Sequence, residues 1–315
     1  MGKLRGKRIL VTGGNGYLGS QLVPALNKAG ASVFVMDKIT TGAKNEFIAD
    51  ITDKKEVSFV IKKTDPHIIY HLAATLNRDR DFRYHDEILR INYSGTVNLL
   101  CALQDTDYEN FIFTSTSEIY GSNTPPFHEE QLPAPSSPYS LSKFFAETGI
   151  RTFSELNRKN YTILRLFNFL RKKMPETFFI PQLLHSLEYD SVFKMTKGEQ
   201  SRDFLYIEDV LSALMLSATK DEAKNEIFNV CSGQSIMLKQ LATEIQQQLK
   251  SSCRIEFGAL PYRDNEVWRM VGSNKKIRGR LGFKPAYSLK EAIYEIIKDS
   301  VHSEKSFFTA KALRR

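Results

Sequence analysis

Cysteine is scarce in this chain: three residues in 315, Cys101, Cys231 and Cys253, lie far apart and form no CxxC. That spacing argues against a disulfide framework or a cysteine zinc site, and it fits a reducing compartment. A run of about 18 apolar residues is also missing, so no membrane span is expected. The basic start MGKLRGKRILVTGG has a superficial likeness to a secretory signal, but the apolar run is short and glycines follow at once. It reads instead as a first strand, and the expected location is cytoplasmic. Internal repeats and low-complexity segments are absent. The net charge is +8, yet the basic residues are scattered and no patch interleaves them with aromatics. Nucleic-acid binding therefore rests on charge alone, which is a weak warrant. An anionic nucleotide-bearing substrate and a solvated surface account for the excess.

What the chain does have is alternation. RILVT (8–12), SVFVMD (32–37), HIIYHLAA (67–74), NFIFTST (110–116) and YTILRLFN (161–168) read as strands. Between them, helices are expected over 17–30, 53–64, 85–104 and 137–157. Asp53 is a candidate N-cap, and Ser137 another, with Pro138 at the first helical position. Strands separated by helices in this order imply a parallel sheet covered on both faces, an α/β fold. The second half is less regular, with helices near 208–219, 238–250 and 288–299, a strand-like EIFNVCS (226–232) and a loose tail from His302.

TGGNGYLGS places Gly13, Gly16 and Gly19, with Asn15, Tyr17 and Leu18, between the first strand and the first helix. Glycines also serve ordinary turns. In this context, backbone N–H groups at the helix start can hold a pyrophosphate that side chains would block. Asp37 ends the second strand, roughly 20 residues beyond the glycines, where a carboxylate can accept both ribose hydroxyls of NAD. Asp37 would repel a 2′-phosphate, although Lys38 softens this, so NAD is favoured over NADP. Asp50 and Ile51 are placed to bracket the adenine. The fold expected is thus a Rossmann-type doubly wound parallel sheet with a smaller C-terminal substrate-binding region. Residues 1–167 would bind the dinucleotide, with 205–234 returning to them, and 168–315 would mainly bind substrate.

Tyr139 and Lys143 are four residues apart in a predicted helix and share one face. They follow the hydroxyl-rich strand end TSTSEIYG (114–121), which carries one carboxylate, Glu118. With HLAA (71–74), NYSGTVNLL (92–100), SPYSLSK (137–143), LRLFN (164–168), RDFLYIEDV (202–210) and PYRDNEVW (261–268), nearly the whole chain resembles the extended short-chain dehydrogenase/reductase family. The resemblance is to its NAD-dependent nucleotide-sugar epimerases and dehydratases, enzymes of surface-glycan sugar biosynthesis.

The resemblance implies that Tyr139 is the acid–base group. A free phenol has a pKa near 10, and a neighbouring ammonium favours the phenolate. Lys143 would supply that ammonium and hold the nicotinamide ribose. Thr116, or Ser115 or Ser117, would hydrogen-bond the same sugar oxygen. Leu72, Ala73 and Ala74 would border the cofactor. Asn168 and Arg202 would contact the substrate diphosphate, with Arg263 as a second cation, and Glu266 would accept the nucleotide ribose hydroxyls. No metal is implied, and a homodimer is expected through the helices 85–104 and 137–157.

Glu118 bears on the reaction. Oxidation at C4 of a hexose makes the C5 proton acidic, and a nearby carboxylate can remove it. Thr-Ser-Glu before aliphatic-Tyr-Gly resembles the segment of GDP-mannose 4,6-dehydratases, and the UDP-glucuronate decarboxylases carry a similar one, whereas simple 4-epimerases usually carry a small residue at this place. Ser117 stands where dTDP-glucose dehydratases have an aspartate, and the sequence after HLAA departs from theirs. The expected order is therefore 4,6-dehydration or related C4 oxidation, then 4-epimerisation, decarboxylation and 4-keto reduction. A non-catalytic dinucleotide sensor is disfavoured by the Tyr/Lys pair. The base of the nucleotide is left open.

Overall fold

Seven strands, all parallel, form the frame of one compact unit of this computed structural model, which describes residues 2–77, 80–172, 174–263 and 266–298. The expected loose tail from His302 lies outside the described residues. The strands are β1 (Arg8–Thr12), β2 (Ser32–Asp37), β3 (Glu46–Ile48), β4 (Ile68–His71), β5 (Asn110–Thr116), β6 (Tyr161–Leu166) and Glu226–Val230. Their order is 226–230, β6, β5, β4, β1, β2, β3. β4 and β5 are buried at every position, as near-continuous apolar runs in a doubly covered sheet should be.

β1 has β2 on one side and β4 on the other, so the winding reverses there. Ligands of open α/β sheets bind outside the carboxyl ends of the strands at such a point. The register sets those ends: Thr12 is level with Met36 and His71, and Thr116 with Leu166.

The helices α1 (Gly19–Lys28), α2 (Lys54–Thr64), α3 (His85–Leu89), α4 (Gly95–Leu103) and α5 (Pro138–Asn157) follow the strands. Asp53 caps α2 through its side chain, and Ser137 with Ser140 forms a capping box on α5. On one face Val57, Val60, Leu99, Leu103, Ala146 and Ile150 pack on Leu10, Ile69, Phe111, Phe113 and Ile163. Each fully buried Val, Leu, Ile or Phe side chain among these contributes about 1.5–3 kcal/mol.

Several expected boundaries move, each for a local reason. The strand 67–74 stops at His71, because Leu72 and Ala73 turn their amides to the Thr12 carbonyl and hydroxyl instead of a neighbouring ladder. The helix 85–104 is two helices joined by a π-helical turn, Arg90–Ser94, with Asn92 buried in it. The strand 161–168 divides, and Asn168–Leu170 pairs instead with Phe204–Tyr206. β3 is a short edge strand with no alternation long enough to announce it.

The first unit comprises residues 1–166, 211–230 and 274–283. The second comprises 167–210, 231–273 and the chain from Lys284. The second holds helices Phe179–Tyr189, Leu238–Leu249 and Leu289–Lys298 and three small sheets. Among the described residues, no helix is long and apolar enough to cross a membrane.

Candidate active site

The glycine loop explains itself residue by residue. Gly13 has φ +69°, and a Cβ there would stand 2.8 Å from the Ala73 nitrogen. A Cβ on Gly19 would stand 2.3 Å from the Gly13 carbonyl oxygen. These two glycines are demanded by the loop's own packing. Gly16 is exposed, and its Cβ would meet only the Gly13 oxygen, at 3.1 Å. Its outer side is therefore open. The first turn of α1 has neither a side-chain cap on Leu18 nor an acidic residue, so its positive end is not neutralised internally. Tyr17 and Leu18 are half-buried beside it.

Asp37 closes the loop from β2. One of its oxygens accepts from the Asn15 amide at 3.0 Å and the other from the Ile39 amide at 3.2 Å. Lys38 pairs with Asp50 at 3.0 Å. Burial opposes ionisation of Asp50, but the Thr52 amide, the Lys38 ammonium and the Thr52 hydroxyl outweigh it and hold the carboxyl below its usual range. Lys38 is thereby tied to a carboxylate rather than left for a 2′-phosphate. The Ile51 side chain is buried in the core, where a Cβ on Gly95 would crowd it at 2.8 Å. Only its backbone is left to border an adenine.

Between β1 and α4 runs a buried chain of hydrogen bonds centred on His71. Its Nδ1 lies 2.7 Å from the Thr12 hydroxyl and its Nε2 2.8 Å from the Thr96 hydroxyl. Thr96 donates to the Asn92 carbonyl at 2.6 Å, so it accepts from Nε2–H. Nδ1 then accepts from Thr12, whose oxygen in turn accepts from the Ala73 amide at 3.3 Å. The ring is neutral: burial pushes its pKa down to about 3, with Lys143 adding repulsion. Leu72 and Ala73 are half-buried and Ala74 is exposed.

α5 carries Tyr139 and Lys143 on its buried face, one turn apart. The Lys143 ammonium donates to the Thr114 carbonyl at 2.8 Å and sits 4.5 Å from the Phe113 ring centre. Burial pushes its pKa down to about 7, and the Glu147 carboxylate opposes that push. The hydroxyl cluster lies at the end of the strand under this helix. Thr116 caps the 3-10 turn Ser117–Tyr120 by accepting from the Glu118 amide at 3.1 Å. Ser117 is buried and Glu118 half-buried. Ser115 Oγ is buried with no hydrogen-bond partner among the described residues.

Sequence reading passed over the supports of this helix. Asn92 bonds both backbone groups of Thr75 and donates to Ser142 Oγ at 2.9 Å, and Ser142 donates to the Tyr139 carbonyl at 2.7 Å. Glu147 and Arg165 form a buried two-bond fork of 2.8 and 3.1 Å. An arginine inside an otherwise apolar strand, and a glutamate one turn beyond Lys143, were the available signals.

The second unit holds the four residues expected on the substrate side. Arg202 donates to Glu266 at 2.5 Å and to the Val267 carbonyl at 2.6 Å. The cation expected at a diphosphate and the carboxylate expected at a ribose are thus paired with each other. Asn168 donates to the Asp203 carbonyl at 3.3 Å, and Arg263 is exposed. Asp203 is fully buried. Burial pushes its pKa up to about 6, against bonds from Ser232, Gly233 and Gly272. Among the described residues, no group of three or more His, Cys, Asp or Glu could hold a metal ion.

The sequence model of the NAD dependent epimerase/dehydratase family matches residues 9–231. A putative UDP-glucose 4-epimerase from Methanocaldococcus jannaschii is 32% identical over 305 residues, covering 92% of this chain and 97% of that protein. A UDP-N-acetyl-alpha-D-glucosaminuronate decarboxylase from Bacillus cytotoxicus is 28% identical over 316 residues, with 92% and 97% covered. Among solved structures, the Thermotoga maritima UDP-glucose 4-epimerase with UDP-glucose aligns at a TM-score of 0.85 and 26% identity, covering 93% of this chain and 99% of that one.

Proposed function

The chain belongs to the NAD dependent epimerase/dehydratase family and is an NAD-dependent enzyme, and we propose that it oxidises C4 of a nucleotide-diphosphate sugar and then removes the C5 proton with Glu118, as a 4,6-dehydratase does. The loop fits the cofactor: Gly16 leaves the approach open, and the Asp37 oxygens face the Asn15 and Ile39 amides beside it. Gly13 to Gly19, Asp37 and the 72–74 loop would hold it. NAD supplies the acceptor for the C4 hydride when bound.

Tyr139 takes the proton of the C4 hydroxyl, and Thr116 hydrogen-bonds the same oxygen. Lys143 stabilises the phenolate and would hold the nicotinamide ribose. The observation that carries this reading is the placement of Lys143, buried and bonded to the strand end that presents Thr116 and Glu118. Glu118 then takes the C5 proton, and hydroxide leaves C6 as water with a proton equivalent to the one taken from O4. The hydride removed from C4 would return to C6 and Glu118 gives its proton back to C5, so the net change is loss of one water. Arg202, Asn168, Arg263 and Glu266 would bind the nucleotide end. Incubation with a panel of nucleotide sugars and mass spectrometry separates the reactions. Loss of water supports dehydration, and loss of two hydrogens or of carbon dioxide points to oxidation or decarboxylation. No mass change with an altered C4 configuration supports a 4-epimerase, the second reading, which the 32% identical relative favours.

Cofactor choice gives a separate expectation. Protein purified and then denatured should release NAD(H), and NADP should bind poorly, because Asp37 repels a 2′-phosphate and Lys38 is held by Asp50. Release of NADPH alone would remove Asp37 from cofactor selection.

The assembly is proposed as a homodimer through α3, α4 and α5. Phe145 and Leu156 on α5 are 37% and 78% exposed, and Tyr93 meets Phe145 edge-on at 6.0 Å. Light scattering at micromolar concentration should give twice the mass of one chain; a monomer would count against it.

A further inference from the structure

Two buried charges of the first unit have no part in the chemistry described above. Glu147 lies one turn beyond Lys143 on the buried face of α5 and is 2% exposed. Arg165 comes from β6, is 3% exposed and binds both Glu147 oxygens. Its remaining nitrogen donates to the Tyr120 hydroxyl at 2.9 Å and to the Glu129 carbonyl at 3.3 Å. Tyr120 passes the bond on to Asn229 at 2.7 Å. The guanidinium is therefore fixed from three sides and cannot swing away from Glu147.

Burying such a pair carries a large desolvation cost and is weak evidence of a stability role. Its position suggests another use. Lys143 shares its face with Tyr139 and Glu147. It meets the Phe113 ring and the Thr114 carbonyl from β5, and its charge disfavours protonation of His71 from β4. Arg165 binds Glu147 and the Tyr120 hydroxyl. Among the described residues, Glu147 is the carboxylate whose charge acts on this ammonium, one turn along the same buried face.

We propose that Glu147 is a positioning residue that keeps Lys143 an ammonium, and that Arg165 is the counterweight limiting that pull, so that the pair sets the protonation of the Tyr139–Lys143 couple without touching substrate. Interior electrostatics are less screened than in water, so a full charge one or two turns away is felt at both groups. Removing the carboxylate makes each of them release its proton more easily. Removing the guanidinium has the reverse effect, because Glu147 then acts unopposed. The two halves of one ion pair should therefore move the couple in opposite directions.

This rests on Tyr139 and Lys143 being the acid–base couple, and the test separates the two claims without any sugar. The probe is NAD-loaded full-length protein, titrated through its near-ultraviolet tyrosinate band. The lowest-pH component of that band should vanish in Tyr139→Phe. In Glu147→Gln it should move to lower pH by about half a unit or more, and in Arg165→Gln to higher pH by a similar amount. A component that survives Tyr139→Phe overturns the acid–base reading and this proposal with it. A component that vanishes there, but stays put or moves the same way in both charge variants, overturns this proposal alone. Should the single variants fail to fold, Glu147→Leu combined with Arg165→Met removes both charges together, an exchange buried pairs often tolerate. It should give a shift to lower pH, since Glu147 is on the same helix face as the couple and is the charge of the pair that acts on Lys143; no shift would overturn the proposal.

Discussion

Tyr139→Phe is expected to lower turnover by about 10² or more while the fold and the NAD content persist. The substitution deletes one oxygen and keeps a ring that is 7% exposed. The caps and supports of this helix described above act through other atoms. Ser137 and Ser140 cap each other's backbone, and Ser142 bonds the Tyr139 carbonyl, not its phenol. Lys143 keeps its bond to Thr114. A large loss in turnover with an unchanged melting temperature and cofactor content would report the missing proton acceptor. Near-normal turnover with the accepted nucleotide sugar would take Tyr139 out of the chemistry, and the reading of Thr116 and Lys143 with it.

Glu118→Gln is expected to stop the reaction after C4 oxidation. Tyr139 and Lys143 are untouched, so the first step should survive. The amide keeps the size of the side chain, and the backbone bond from the Glu118 amide to Thr116 remains. A 4-keto sugar that still holds its C6 oxygen should accumulate, by mass spectrometry. Exchange of the C5 hydrogen with deuterated water should fall by about 10² or more, the usual scale for a lost general base. If the unsubstituted enzyme never exchanges that hydrogen with any substrate it accepts, Glu118 is no C5 base. The 4-epimerase reading then takes precedence, with Glu118 orienting the hydroxyls beside it.

The parts legible in the sequence were those written in short-range pattern. β1 and β5 are apolar runs of strand length, and their ends fall within a residue of the expectation. The α5 cap was announced by Ser137 and Pro138. The Asp37 position followed from a strand ending near a glycine loop. What escaped was set by partners far away in the chain. Nothing local to His71 says that β4 ends there; the Thr12 hydroxyl and carbonyl decide it. Nothing local to Asn92 says that a helix must open into a π turn; the Thr75 backbone and Ser142 are among its partners. The basic run NKKIRGR looked like scattered charge. In the structure Lys276 and Arg280 from that run bind Glu226 at 2.9 and 3.0 Å, fastening a late helix to an outer strand. The Glu147–Arg165 fork is likewise a contact between two elements, visible only after α5 lies on β6.

The outermost strand, 226–230, also fixes an order of events during synthesis. β6 leaves the ribosome well before its neighbour, because residues 167–210 of the other unit come between them in the chain. Until 226–230 arrives, β6 is an open rim of unpaired amides and carbonyls, the kind of template on which nascent chains join one another. The helix Lys275–Leu281, which binds Glu226 of that strand, arrives later still. A messenger truncated anywhere between codons 167 and 225 would thus leave most of the first unit with one adhesive border. Such a fragment should appear in inclusion bodies rather than as a small soluble domain.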